Sequence, residues 1–159
     1  MPFSLNDIVV AISMIKRWES FRSKPYLCSA GVATIGYGTT VYPDGRRVTL
    51  EDAPINEVEA MVLLKHMLSS KYVPAVVRLC PELLADAMIT GNWSRFSAIV
   101  DWVYNLGAGN LQISTLRRKI KEHKWDECDA EIRKWNKAAG MVLRGLTLRR
   151  EDEVRVWNS

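Results

Sequence analysis

A helix ends and a sheet begins within WESFRSKPYLCSAGVATIGYGTT, residues Trp18 to Thr40. Upstream, Leu5, Ile8, Ile12 and Ile15 recur at spacings of three and four, the period of one helix face. Ser4 and Asp7 have capping-box spacing, with Asp in place of Glu or Gln, so a helix is expected over residues 4–22. Inside the stretch the period changes. Tyr26–Ser29 and Val32–Tyr37 read as short strands around Gly31. A second pair, Thr39–Tyr42 and Arg46–Thr49, flanks the turn signal Pro43-Asp44-Gly45. No other part of the chain reads as β.

From Asn56 onward the pattern is helical. Asn56 can cap a long helix carrying Val58, Met61, Leu64 and Leu68, which Pro74 must bend or end. A short helix is expected over 82–89. Residues 93–106, WSRFSAIVDWVYNL, are apolar almost all round and read as a buried central helix, ended by Gly107 and Gly109. Further helices are expected over about 114–123, 125–138 and 147–157. The fold class is therefore α+β: one domain, residues 1–159, in two lobes. The first lobe, about 13–60, holds the hairpins. The second, about 75–159 plus the start of the N-terminal helix, is helical, and the cleft between the lobes is the natural binding site.

Composition narrows the function. The 159 residues are 48% hydrophobic and 25% charged, an ordinary globular balance. The net charge of +4 favours an anionic partner without choosing among nucleic acid, membrane surface and wall polymer. The cations are spread over several segments and no helix-turn-helix reader is evident, so nucleic acid is not expected. Three cysteines without metal-ligand spacing and only two histidines argue against a metal site, and no cofactor is expected. An odd cysteine count in a chain with a core of this size reads as free thiols made in a reducing cytoplasm. The apolar run Ile8–Ile15 is eight residues long and follows Asp7, too short for a transmembrane span and without the basic leader of an export signal.

The chemistry of the stretch starts at Glu19. It continues the Ile8, Ile12, Ile15 face near the helix C-terminus, where burial and the helix dipole both disfavour a charged carboxylate. A general acid working near neutrality needs such a raised pKa. The same Glu also reads as a helix-edge residue paired with Arg17, Arg22 or Lys24. Cys28 and Thr34 lie three residues before and three after Gly31, so a hairpin turning there would set them opposite each other. They are then either a presented thiol and hydroxyl, or a small apolar residue and a strand former. No second carboxylate follows Glu19 until Asp44.

Glu19, eight residues, Cys28, five residues, Thr34, the last of them opening the run TIGYG, resembles the catalytic signature of the phage-type lysozymes (endolysins), glycoside hydrolases related to T-even phage lysozyme, in which the middle residue is Asp or Cys. FSAIVDWVYNLGAG, STLRRKI, RKWNKAAG and LRGLTLRREDE occur in that family's order, so the resemblance covers roughly residues 12–157, with 75–92 the poorest fit. It implies a lysozyme-like fold and hydrolysis of the β-1,4 bond between N-acetylmuramic acid and N-acetylglucosamine in peptidoglycan. Glu19 would be the acid, Thr34 would orient the attacking water, and Cys28 would occupy the Asp position as thiolate or thiol. Tyr26 resembles a position near the catalytic centre, or else is a cross-strand aromatic. Tyr104 and Asn105 correspond to the cleft floor, where Asn105 either holds an N-acetyl group or caps its own helix. The acid-free basic run Arg133–Arg150 reads as a solvated face, or as a contact with stem-peptide carboxylates through residues such as Lys134 and Arg150. Trp93, Trp102, Trp125, Trp135 and Trp157 read as core.

The resemblance further implies a monomer held in the host cytoplasm until lysis, a holin for membrane passage, and action on the wall in the periplasm. A lytic transglycosylase needs only the Glu, and a non-catalytic wall-binding protein needs none of the three residues. These are the competing readings.

Overall fold

The computed structural model describes residues 3–159. By internal packing the chain divides into two units: Ile12–Lys71, and Tyr72–Ser159 together with the residues up to Ala11. The first helix, α1 (Val9–Glu19), starts later than its pattern implies. The Asp7 carboxylate accepts the Ser4 N–H at 2.7 Å, but the Ser4 hydroxyl takes Asn6 N–H, so only half of the capping box forms and residues 5–8 remain turns. Ile8, Ala11, Ile12, Met14 and Ile15 are buried. The helix stops at Glu19 because Ser20 adopts a left-handed φ of 58°.

In the unit Ile12–Lys71, β1 (Arg22–Leu27) and β2 (Ala33–Gly36) pair antiparallel. The second expected hairpin does not form as strands. Val41 and Arg47 make one isolated bridge around the Pro43-Asp44-Gly45 turn, and the loop is held by side chains instead. Asp52 accepts from Tyr42 Oη at 2.8 Å and from Arg46 Nη1 and Thr49 N, both at 2.9 Å. These donors hold its carboxyl far below the usual range, the Thr49 N–H foremost. A small core of Ile35, Val48 and Leu63 lies beneath, with Ala33, Tyr42 and Ile55 packed against it. Gly36 has a φ of 67°, and a Cβ there would meet the Ala60 Cβ at 3.2 Å. That glycine lets β2 approach α2 (Glu57–Met67) closely. Asn56 and Glu59 cap α2 reciprocally, each bond 2.8 Å. Val58, counted above on the apolar face, is 74% exposed, and the helix buries Ala60, Leu63 and Leu64 instead.

The long helix is broken by a π-helical turn at Leu68–Tyr72, after which Pro74 sits in the first turn of α3 (Val73–Leu79). The other unit continues with α4 (Pro81–Thr90) and α5 (Ser94–Leu106), which is buried without interruption from Phe96 to Val103. Gly107 ends α5, whereas Gly109 lies inside α6 (Ala108–Ile113), a helix that no pattern announced. α7 (Thr115–Lys121) is capped by Ser114. The helix expected over 125–138 is only α8 (Cys128–Arg133). Beyond it runs an unexpected ribbon, β3 (Lys137–Ala138) with β4 (Met141–Val142), before α9 (Arg144–Trp157).

Candidate active site

Glu19 is the last residue of α1 and is half-buried. Three residues later the chain enters β1, which runs to Leu27 and delivers Cys28 at the hairpin end. The hairpin centres on Ala30, not Gly31. Gly31 N donates to Cys28 O at 2.8 Å and Cys28 N to Val32 O at 3.0 Å, while Tyr26 opposes Thr34 and Leu27 opposes Ala33. Cys28 therefore faces Val32, and the expected Cys28–Thr34 pair is out by two residues. A shift of two preserves the side-chain face, so Cys28 and Thr34 remain diagonal neighbours.

The turn acts on the thiol. Cys28 is drawn below its usual pKa, chiefly by the backbone N–H of Val32 and then that of Ala30. Gly31 at a φ of 75° gives the turn its left-handed residue, and the amides on either side of it, of Ala30 and Val32, act on the sulfur. Sequence reasoning named Cys28 but missed these amides. The signal was the Gly31 that closes the turn directly after it. Thr34 is buried, and its Oγ1 donates to Val32 O at 2.9 Å. With its proton committed there, the oxygen is left as an acceptor. Burial, and after it the negative charge of Glu19, pushes the Tyr26 phenol up; Arg22 opposes and Cys28 adds to the rise. Tyr26 is thus within electrostatic reach of both Glu19 and Cys28, and directly across from Thr34. Arg22 lies over the Tyr26 ring, 4.2 Å from its centroid. The other two thiols differ: burial pushes Cys80 and Cys128 up to about 12.

The remaining candidates belong to the other unit. Tyr104 packs on Tyr72 with ring centroids 4.6 Å apart. Lys134 is exposed and pairs with Glu131 at 2.8 Å. Arg150 is not on a solvated face: it is fully buried, donating to Asn105 Oδ1 at 2.9 Å, Glu153 Oε1 at 2.7 Å and Trp135 O at 3.1 Å. Asn105 is thereby held as an acceptor for Arg150, a partner outside the two alternatives drawn from the sequence. Arg149 makes a two-bond fork to the buried Asp101 at 2.9 and 3.0 Å. Burial pushes the Glu153 carboxyl well above its usual range against the pull of Arg150, and a hydrogen bond to Asp101 adds to the rise. Of the tryptophans, Trp102 and Trp157 are buried, and Trp93, Trp125 and Trp135 are partly so. Among the described residues no three His, Cys, Asp or Glu gather as metal ligands, and no helix is long and apolar enough to cross a membrane.

The chain is similar to several known proteins. The endolysin of Bacillus phage B103 is 32% identical over 154 residues, 94% of this chain. The chain spans about half of that relative, 52% of its length. The SAR-endolysin of Bacteriophage PS34 is 34% identical over 87% of this chain and 75% of its own. Among solved structures, a mutant of P22 lysozyme aligns over 99% of this chain and 98% of its own, with 25% identity and a TM-score of 0.76. The family described as Phage lysozyme matches residues 16–153, a span that holds Glu19, the Cys28 turn and Thr34, and the chain belongs to that family.

Proposed function

We propose that this chain is the catalytic part of an endolysin, a glycoside hydrolase that cleaves the β-1,4 bond between N-acetylmuramic acid and N-acetylglucosamine in peptidoglycan. The observation that carries the reading is the hairpin beside Glu19: Thr34 is left as a hydrogen-bond acceptor and Cys28 is drawn toward its thiolate. Glu19 gives a proton to the leaving glycosidic oxygen. As the bond breaks, positive charge develops at C1, and a water attacks from the opposite side of the sugar. That water gives one hydrogen bond to Thr34 Oγ1 and one to Cys28 Sγ, which keeps its lone pair aimed at C1. Its proton passes to the sulfur, and exchange with solvent restores both the thiolate and the Glu19 acid.

A threonine acceptor on the same hairpin face as the Cys28 thiol supports hydrolysis over transglycosylation, in which the sugar's own 6-hydroxyl closes on C1. Tyr26 lines the same face, and Lys134 is an exposed cation for stem-peptide carboxylates. The protein acts as a monomer, waits in the host cytoplasm and reaches the wall through a holin. The test is a turbidity assay on outer-membrane-permeabilised Gram-negative cells with the parent and Glu19→Gln side by side. Mass spectrometry of the products completes it. Reducing ends and loss of lysis in Glu19→Gln support the reading. A 1,6-anhydro product makes the protein a transglycosylase, and undiminished lysis in Glu19→Gln removes Glu19 from the chemistry.

A further inference from the structure

The segment from Lys16 to Leu27 carries Lys16, Arg17, Arg22 and Lys24 against the one carboxylate of Glu19. Arg22 is placed unlike an ordinary surface cation. It is exposed, it has no carboxylate partner among the described residues, and its guanidinium carbon sits 4.2 Å from the Tyr26 ring centroid. In a regular strand, residues four apart are separated by about 13 Å, beyond comfortable stacking reach. Here Arg22 pairs with Gly36 and Tyr26 with Thr34, so the register slips between them and β1 is locally shortened. Pro25, which has no N–H for the ladder, sits in that bulge. The bulge brings the cation onto the ring of the residue directly opposite Thr34.

We propose that Arg22 is an anion-recognition residue of this site, binding a free carboxylate on the peptide stems of the wall polymer; this rests on the peptidoglycan reading above. The contact with the ring takes up no carboxylate, and the guanidinium is a planar fork that matches a carboxylate in two parallel hydrogen bonds. The ring restricts the side chain before substrate arrives, so less freedom is lost on binding. Gly36, opposite Arg22, has no side chain to cover it.

The experiment uses insoluble walls in two forms, native and with the stem carboxylates amidated. Rates are measured for the parent, Arg22→Gln and Arg22→Lys, and wall co-sedimentation is measured in a Glu19→Gln background with and without Arg22→Gln. Arg22→Gln is expected to raise KM on native walls roughly tenfold, with kcat nearly unchanged, as for loss of one charged hydrogen-bonding pair. Amidation is expected to raise the parent's KM by a similar factor and to leave Arg22→Gln unaffected. Arg22→Lys falls between, keeping the charge without the fork. If the two perturbations multiply, Arg22 does not meet the amidated group and the proposal is overturned. A fall in kcat at constant KM with a lower Tm also overturns it, making Arg22 a support of the hairpin. Co-sedimentation reads recognition without turnover, so a wall-binding loss in Arg22→Gln stands even if the parent proves to be no hydrolase.

Discussion

Replacing Cys28 by Asp tests whether the site works through an anion. An ordinary thiol with a pKa of about 8.5 is roughly 3% ionised at pH 7 and roughly 0.3% at pH 6, whereas an ordinary Asp at about 3.9 is ionised at both. If the anion is the working form and the two anions serve equally, Cys28→Asp should exceed the parent by the inverse of the thiolate fraction. That caps the gain at about 30-fold at pH 7 and about 300-fold at pH 6. The amides of Val32 and Ala30 draw the thiol below its usual value, so the thiolate fraction is larger and the gain smaller than these ceilings. The sign is fixed: activity of the parent rises with pH through the lowered thiol pKa, and the ratio of Cys28→Asp to parent falls toward one as pH passes it. The assay is kcat/KM by turbidity from pH 5 to 9 at constant ionic strength. The pH dependence of Cys28 alkylation by iodoacetamide supplies the thiol pKa independently. The acid limb of the parent should coincide with that alkylation midpoint and vanish in Cys28→Asp. Parallel profiles for the two proteins, or full activity in Cys28→Ser, would refute the anionic role.

Of the three cysteines, one should react rapidly with a disulfide-exchange reagent at pH 8 in the native protein, and lysis should fall in step. Cys80 and Cys128, buried and pushed up to about 12, should respond only on unfolding. Asp101→Ala strands the buried Arg149 guanidinium and should cost about 3–5 kcal/mol, a fall in Tm of roughly 6–20 °C by calorimetry for a chain of this size. Gly36→Ala puts a Cβ 3.2 Å from that of Ala60 at a left-handed φ, and should lower stability by about 1–2 kcal/mol or more in urea unfolding. An unchanged midpoint there would mean that β2 and α2 part freely.

The elements that could be read from the sequence are those whose signals are local. Asn56 and Glu59 announce a capping box and form one, and the near-continuous apolar run of α5 is buried as such a run must be. The ribbon at Lys137–Val142 was hidden because its turn uses Ala139 at a φ of 51° before Gly140 at 78°. Turns of this kind are usually flagged by Asn-Gly or Asp-Gly, and alanine there carries no such flag. Arg149 and Arg150 were misread for a different reason. The run from Arg133 to Arg150 has no acid in it, so it looks solvated. The charges that bury them lie elsewhere, on Asp101 and Glu153, and a one-dimensional charge pattern does not contain that pairing.

The site divides along the same line. Glu19, Cys28 and Thr34 were singled out by their resemblance to the family's signature, and their spacing places them at a helix end and on a short hairpin. Spacing did not fix the register, since moving the hairpin centre by one residue, from Gly31 to Ala30, re-pairs every position. The candidate chemistry survives because such a move shifts partners by two and leaves the face unchanged. What the real register adds is a pair of backbone amides. With Cys28 opposite Val32, and not opposite Thr34, the sulfur lies at the turn itself, where the amides of Ala30 and Val32 can reach it. In the mechanism proposed above the second acid–base group is Cys28 together with the backbone that turns around it, so changing that turn should alter activity even with Glu19, Cys28 and Thr34 all in place.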